Sequence, residues 1–345
     1  MIGEGSLLVI DEAGMAGTLD LATVVEFAAE RGASVRLVGN DRQLAAVGAG
    51  GLLRDIDRTH GAVTLAEVRR FTHPDGSPNR AEAAVPLAIR RDETTGLGYY
   101  LDLGRVHLGD ATTTADAAFT AWTFDRAAGL DSLLIASTNT CVRELNLRAQ
   151  SVRLSAAAVP ASARVTLADG TSVSEGDVII TRRNGRHLAT SATDFVANGD
   201  RWGVTSVRPD GALDVWHLRA HRRVTLPPGY VAEHVQLGYA CTVHDAQGQT
   251  VDTSHTVLIG AESWQLLYVA LTRGRRANYL YLDVSIAGED AAVYVEAQRP
   301  PTAVELFVRI VERDEAAVSS TTARCEERDP RPLLAKACAG YLDAL

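Results

Sequence analysis

The stretch Leu7–Met15 reads LLVIDEAGM, and it constrains the fold more than any other segment. Four apolar residues run directly into Asp11 and Glu12, the form of a buried strand that delivers a carboxylate pair to a sheet edge. Residues 19–30 then carry Leu21, Val24, Val25 and Ala28 at helical spacing, and Gly32 stops the pattern. Residues 34–39 (SVRLVG) form a second short strand. Strand, helix and strand at this spacing predict a βαβ unit with a parallel sheet. Ligands of such sheets bind beyond the carboxyl ends of the strands. Asp11, Glu12 and the segment GNDRQL (39–44) fall at that edge.

A second α/β unit follows. Residues 80–91 and 113–128 read as helices, SLLIAST (132–138) as another apolar strand, and NTCVRELNLRAQ as the helix after it. From Arg164 to Leu226 the pattern changes to short alternating runs broken by ADG, SEGD, NGR, NGD and RPDG. That is the signature of a small antiparallel β barrel. HTVLIG (255–260) and NYLYLDV (278–284) return to parallel-sheet strands, with a helix around Trp264–Leu271 between them. The barrel is therefore expected to be inserted into the second α/β domain. The expected divisions are 1–72, 73–160, 161–232 for the barrel, 233–285, and a helical or loose tail over 286–345.

The 345 residues suffice for two or three domains. No apolar run reaches membrane-spanning length, and the first residues do not form a signal peptide, so a cytoplasmic protein without membrane contact is expected. Cys141, Cys241, Cys325 and Cys338 are scattered, without metal-binding spacing. A net charge of −9 excludes nucleic-acid binding by bulk charge and leaves only local patches, such as RRNGR (182–186) and RAHRR (219–223). Every basic residue is arginine or histidine except Lys336.

LLVIDEAGM and LVGNDRQL, followed in order by LAEVRRF (65–71), GYACTVHDAQGQTVD (238–252) and LLYVALTRGRRANYLYL (266–282), make a specific ordered set. The chain resembles a superfamily 1 DNA helicase of the RecD-like branch, and within it the helicase portion of TraA/TrwC-type conjugative relaxases. The resemblance runs from Leu7 to about Val284. It implies RecA-like P-loop NTPase motor domains with parallel sheets, the first incomplete, and an inserted SH3-like β barrel. It also implies ATP and Mg2+ as ligands and single-stranded DNA as partner. The family's activity is 5′→3′ DNA translocation or unwinding in conjugative transfer or DNA processing.

Carried onto this sequence, the motifs make Asp11 the magnesium ligand and Glu12 the base for the attacking water. Gln43 becomes the γ-phosphate sensor, with an ordinary loop glutamine as the alternative. Arg70 and Arg273 become the arginines that neutralise transition-state charge. Arg69 competes with Arg70, because the family commonly has glutamine after that arginine and Phe71 stands here. Gly248 would let the backbone approach phosphate or DNA. Thr242 and His244 are candidate DNA contacts, a core histidine being the alternative for His244. Relatives often carry lysine and serine after that histidine, where Asp245 and Ala246 stand here. Arg182 and Arg183 would contact a strand running along the barrel. Trp202 and Trp216 are stacking candidates or core.

One part is missing. The family's phosphate-binding loop, G-x-x-x-x-G-K-[ST], occurs nowhere in these residues, and Lys336 is too far along to replace its lysine. The resemblance places that loop, and the relaxase domain, upstream. The expectation is therefore the C-terminal portion of a helicase, unable to hydrolyse ATP alone, with an upstream polypeptide supplying the loop. The alternatives are a non-catalytic single-stranded-DNA-binding module or an inactive remnant.

Overall fold

The structure is a computed structural model that describes residues 2–40, 51–65, 68–89, 96–156, 163–285, 301–315 and 324. The first unit contains β1 (Leu7–Ile10), α1 (Thr18–Ala29), β2 (Ser34–Leu37) and α2 (Leu52–His60). β1 and β2 pair in parallel, Leu7 opposite Ser34 through Ile10 opposite Leu37, as the βαβ pattern requires. β1 is not the buried strand its sequence suggests. Leu7 is 58% and Val9 54% exposed, because among the described residues β1 and β2 have only each other as partners. Leu19, Val24, Val25, Phe27 and Val38 are exposed as well.

The second unit opens with α3 (Arg80–Ile89), α4 (Gly96–Asp102), β3 (Val106–Gly109), α5 (Ala111–Ala127), β4 (Ser132–Ala136) and α6 (Asn139–Ala156). The Asp110 carboxylate caps α5, accepting the Thr113 N–H at 2.7 Å. The inserted strands are β5 (Val165–Thr166), β6 (Ser172–Val173), β7 (Val178–Thr181), β8 (Gly185–Ala189), β9 (Phe195–Val196), β10 (Arg201–Val207), β11 (Leu213–His217) and β12 (Arg223–Leu226). After α7 (Pro228–His234), β13 (Val235–Leu237) pairs with β7, so the insert's antiparallel sheet runs β12-β11-β10-β7-β13. The chain then returns through β14 (Ala240–Thr242), β15 (Val251–Leu258), α8 (Trp264–Ala270) and β16 (Gly274–Asp283), and α9 (Ala303–Glu312) packs last.

β14-β4-β15-β16-β3 form the second parallel sheet. Side-chain alternation sorts its two faces. Leu134 and Ala136 of β4 join a core shared with α5, α6 and the insert, which includes Trp202 and Leu213. Leu133 and Ile135 of the same strand point into the opposite core with Val251 and Val269. Trp202 is thus a core residue, with its indole N–H on Thr181 Oγ1 at 3.3 Å.

β15 begins at Val251, four residues before the strand expected at His255, because the polar run Asp252–Thr256 is buried with mostly satisfied partners. His255 Nε2 lies 2.9 Å from Asp125 Oδ2, Ser254 Oγ donates to Asn278 Oδ1 at 2.7 Å, and Asp252 takes Arg275 and Arg276.

The densest polar knot surrounds Glu82, whose carboxylate is fully buried. Arg105 Nη1 at 3.0 Å and Asn79 Nδ2 at 3.2 Å donate to one oxygen. Asn278 Nδ2 at 3.1 Å and the Tyr100 hydroxyl at 3.3 Å donate to the other.

Two expectations follow for stability. Glu82→Ala leaves Arg105 without its carboxylate and should lower the unfolding free energy by about 3 kcal/mol in urea melts, with Glu82→Gln costing less. Burial holds the His255 pKa below its ordinary 6.5, the Asp125 contact only partly opposing it, and burial lowers His107 likewise. The unfolded chain therefore binds protons first as pH falls through that value, and the stabilisation from neutral His255 should fade from about pH 7 downward. Thermal melts of wild type and His255→Gln should diverge above pH 7 and converge in acid.

Candidate nucleotide and nucleic-acid clefts

Asp11 and Glu12 follow β1 at its carboxyl end. Glu12 is exposed and holds a left-handed backbone, φ 52 and ψ 36. That conformation is costly for a residue with a Cβ. It turns the two acids apart: the Asp11 carboxylate accepts the Glu12 N–H at 2.9 Å, while Glu12 reaches the cleft facing the second unit.

That cleft, about 350 Å³, is lined by Glu12, Asn40, Arg69, Arg70, Gly248, Tyr268, Thr272 and Arg273 among others. The sequence separates these residues by more than 250 positions, and the fold gathers them. Asp11 is not among the lining residues, and Gln43 lies outside the described residues.

Arg273 is 2% exposed and already engaged. Its Nε donates to Val269 O at 2.8 Å, Nη1 to Ala246 O and Gln249 O at 3.2 Å each, and Nη2 to Thr272 Oγ1 at 2.7 Å. Arg70 donates to Thr272 O, one residue away. Burial first, and Arg70 second, push the Arg273 pKa down to about 9. Burial lowers Arg70 too, while Tyr268 and Glu12 favour its charge. A guanidinium stays protonated at neutral pH, so these shifts describe two cations held in a largely dry cleft, with Glu12 the carboxylate that partly offsets their charge. An anion in the cleft would relieve the remaining repulsion.

Both arginines hang from one support. Thr72 N–H bonds Arg275 O at 2.8 Å, which ties the Arg69–Arg70 segment to the strand after Arg273. Asn278 accepts the Gly274 N–H at 2.7 Å and donates back to Gly274 O at 2.9 Å. A Cβ on Gly274 would lie 2.1 Å from Ala277 O, so only glycine fits behind Arg273. The Glu82 knot therefore positions both arginines. Sequence reading missed it, because an isolated glutamate in an alanine-rich helix carries no signal of burial.

Gly248 has φ +75 and nothing within 4 Å of an added Cβ. Its backbone conformation, not tight packing, calls for glycine there. His244 is exposed, which removes the core-histidine alternative. Thr242 Oγ1 donates to Asp245 Oδ2 at 2.8 Å, and Asp245 pairs with Arg182 at 2.7 Å. Arg182 and Thr242 line a cavity of about 290 Å³ between the insert and the carboxyl end of β14, with Asn139, Arg143 and Asn146 opposite. Arg183 faces away from it, 3.1 Å from His234, in a cavity that includes Arg186 and His187. The proposed strand contacts thus fall on two surfaces of the insert rather than one. Trp216 is half-buried and stacked on His221.

Among the described residues no cluster of three or more His, Cys, Asp or Glu side chains is arranged to hold a metal, and no helix is long and apolar enough to cross a membrane.

The fold is of the RecA-like α/β class found in solved Pif1 helicases. It superposes on Bacteroides Pif1 bound to single-stranded DNA with a TM-score of 0.52 at 16% identity, over 82% of this chain and 71% of that one. It superposes on Pif1 helicase from Candida albicans with a TM-score of 0.50 at 14% identity, over 81% and 72%. A family model described as an AAA domain matches residues 1–111. The chain is 28% identical over 282 residues to a probable conjugal transfer protein TraA of Sinorhizobium fredii, covering 81% of this chain and 25% of that protein. It is 28% identical over 279 residues to the conjugal transfer protein TraA of Agrobacterium fabrum, covering 80% and 24%. An uncharacterized protein of Mycobacterium tuberculosis is 40% identical over 103 residues, 30% of this chain and 59% of its own length. The chain thus spans about a quarter of the TraA relatives, and the resemblance read from the motifs recurs in these matches.

Proposed function

We propose that this chain forms the part of an ATP-driven, 5′→3′ single-stranded-DNA translocase that carries the water-activating acid, the charge-neutralising arginines and part of the DNA surface. The process it would serve is conjugative transfer or related DNA processing. The observation that carries the reading is the convergence of Glu12, Arg70, Arg273 and Gly248 on one cleft between the two units.

In phosphoryl transfer the protein contributes positioning and charge neutralisation. Glu12 orients the attacking water and takes its proton. Arg273 and Arg70 neutralise charge on the transferred phosphoryl, so closure of the second unit onto the first governs hydrolysis. The exposed Asp11 carboxylate suits Mg2+, which binds through one or two carboxylates plus phosphate and water and would neutralise charge on the phosphate oxygens. Gln43 would report the γ-phosphate. The phosphate-binding loop would come from residues outside these 345, on an upstream polypeptide that also bears the relaxase domain.

Mg2+-dependent ATP hydrolysis by the full chain, with and without single-stranded DNA, is expected to be absent. It should appear once a polypeptide bearing the loop is added. Glu12→Gln should abolish it, and Arg273→Ala should lower kcat by about 10³-fold or more. Hydrolysis by the chain alone that Glu12→Gln removes would overturn the need for the loop. Silence from a folded, complete mixture would overturn the ATPase reading.

A second reading, a nucleotide-independent DNA-binding module, is favoured by the packing. The second sheet and the insert share one continuous core, whereas the first unit buries few apolar side chains. Here Thr242, His244, Arg182 and Arg183 would contact phosphates without reading sequence. Filter binding to oligodeoxythymidylate should weaken in Arg182→Ala/Arg183→Ala, and the slope of log K against log salt should shrink by about 0.7 per lost contact. An unchanged slope would remove those arginines from the DNA surface.

A further inference from the structure

Tyr268 lines the nucleotide cleft with Glu12, Arg70 and Arg273, and no motif role falls on it. It stands on α8, the helix that runs towards Arg273, whose Trp264, Leu267, Val269 and Ala270 are buried. The Tyr268 side chain packs against two cores, one containing Leu267 and Leu280, the other Val251 and Val269. A phenol held by its ring has one polar atom to present, its hydroxyl. That hydroxyl is near enough to Arg70 and Arg273 to favour the charge on both. Among the described residues no hydrogen bond engages it.

Arg273 has few donors left for a ligand. Of the five N–H groups of a guanidinium, it places four inside its own unit, on Val269 O, Ala246 O, Gln249 O and Thr272 Oγ1. It therefore offers the cleft its charge and a single N–H. Arg70 gives one of its own donors to Thr272 O. The same threonine ties in the tyrosine: Thr272 Oγ1 donates to Tyr268 O at 2.8 Å while accepting Arg273 Nη2 at 2.7 Å. Tyr268, Thr272, Arg273 and Arg70 are thus one bonded set, and the phenol is its uncommitted neutral donor.

We propose that the Tyr268 hydroxyl is a further catalytic group of this cleft, donating a hydrogen bond to an oxygen of the terminal phosphoryl group of ATP as the second unit closes on the first. The assignment rests on the ATPase reading above. The phenol transfers no proton and forms no covalent bond. Glu12 remains the base, and Tyr268 adds a donor where negative charge accumulates. Its contact distinguishes a nucleotide that carries the third phosphate from one that does not.

The test compares wild type with Tyr268→Phe, which keeps the packed ring and removes only the hydroxyl. Each is mixed, as the full chain, with the polypeptide that bears the phosphate-binding loop. In equilibrium titrations Tyr268→Phe should bind the β,γ-imido analogue of ATP about fivefold more weakly and ADP within about twofold of wild type. In hydrolysis assays kcat/KM should fall by about 10²-fold, the scale of one lost transition-state donor. Equal weakening of both nucleotides would place the hydroxyl on the base or sugar and overturn the proposal. So would binding and hydrolysis unchanged in Tyr268→Phe, an outcome that leaves the ATPase reading standing. A wild-type mixture that hydrolyses nothing, yet binds the analogue more weakly in Tyr268→Phe, would remove the ATPase reading and keep the phosphoryl contact. A folded wild-type mixture that binds neither nucleotide would overturn both.

Discussion

Glu82 is a carboxylate with no access to water, and burying one is tolerable only when donors close around it. Four do, from the loop before α3, from α4, from the residue before β3 and from β16. Removing any one exposes the rest to a desolvation cost larger than a single hydrogen bond returns. The knot therefore behaves as a unit. Its value to the cleft lies in what it fixes: Asn278 holds Gly274, Gly274 follows Arg273, and the Thr72–Arg275 backbone bond brings Arg70 to the same support. Two neighbouring cations, offset only by Glu12 across the cleft, would otherwise drift apart. A rigid support lets the fold keep them close.

The same accounting separates the two halves of the molecule. In the second unit, β4 and β15 are covered on both faces and β16 on nearly all of its length, so even polar side chains of β15 must find partners. In the first unit, β1 and β2 leave alternate apolar residues in solvent, and α1 exposes Leu19 and Phe27. Among the described residues, a two-stranded parallel sheet with two helices buries too little apolar surface to stand alone. Its geometry at Glu12 is fixed locally, by the turn after β1 and the Ala13–Val38 backbone bond. The acid's approach to Arg273 depends on contacts across the cleft, such as that between Gln247 and Met15.

Much of this was legible in the sequence. The abrupt change from Leu-Leu-Val-Ile to Asp-Glu marks a sheet edge, and the turn clusters of residues 164–226 mark the antiparallel insert. Ordered motifs far apart in the chain specify one cleft, and Glu12, Arg69, Arg70, Gly248 and Arg273 line it. What stayed hidden depends on long-range partnership. Asp252–Thr256 looks like a polar loop until Asp125, Asn278 and the arginines after Gly274 are seen to satisfy it. β3 and β14 are too short for periodicity to show. The exposure of Leu7 and Val9 follows from which strands are beside them, which no local pattern encodes.

The charge of −9 excluded a protein that attracts polyanions through its net field, yet the nucleotide cleft holds two buried guanidiniums with Glu12 as the carboxylate beside them. These facts are compatible because the acids pair elsewhere: Asp177 with Arg153, Asp214 with Arg208, Asp252 with Arg275 and Arg276. Holding Arg70 beside Arg273, and Arg219 near both Arg70 and Arg201, raises the energy of the folded state. Burial first, and Arg70 second, lower the Arg273 pKa to about 9. An anion that enters relieves the repulsion, so affinity comes from repulsion already present rather than from new contacts alone. Lysine would serve less well, since it loses its proton when buried, whereas arginine keeps its charge and its donor fork. A chain that uses arginine almost exclusively can therefore keep cations in partly dry clefts, ready for a phosphate.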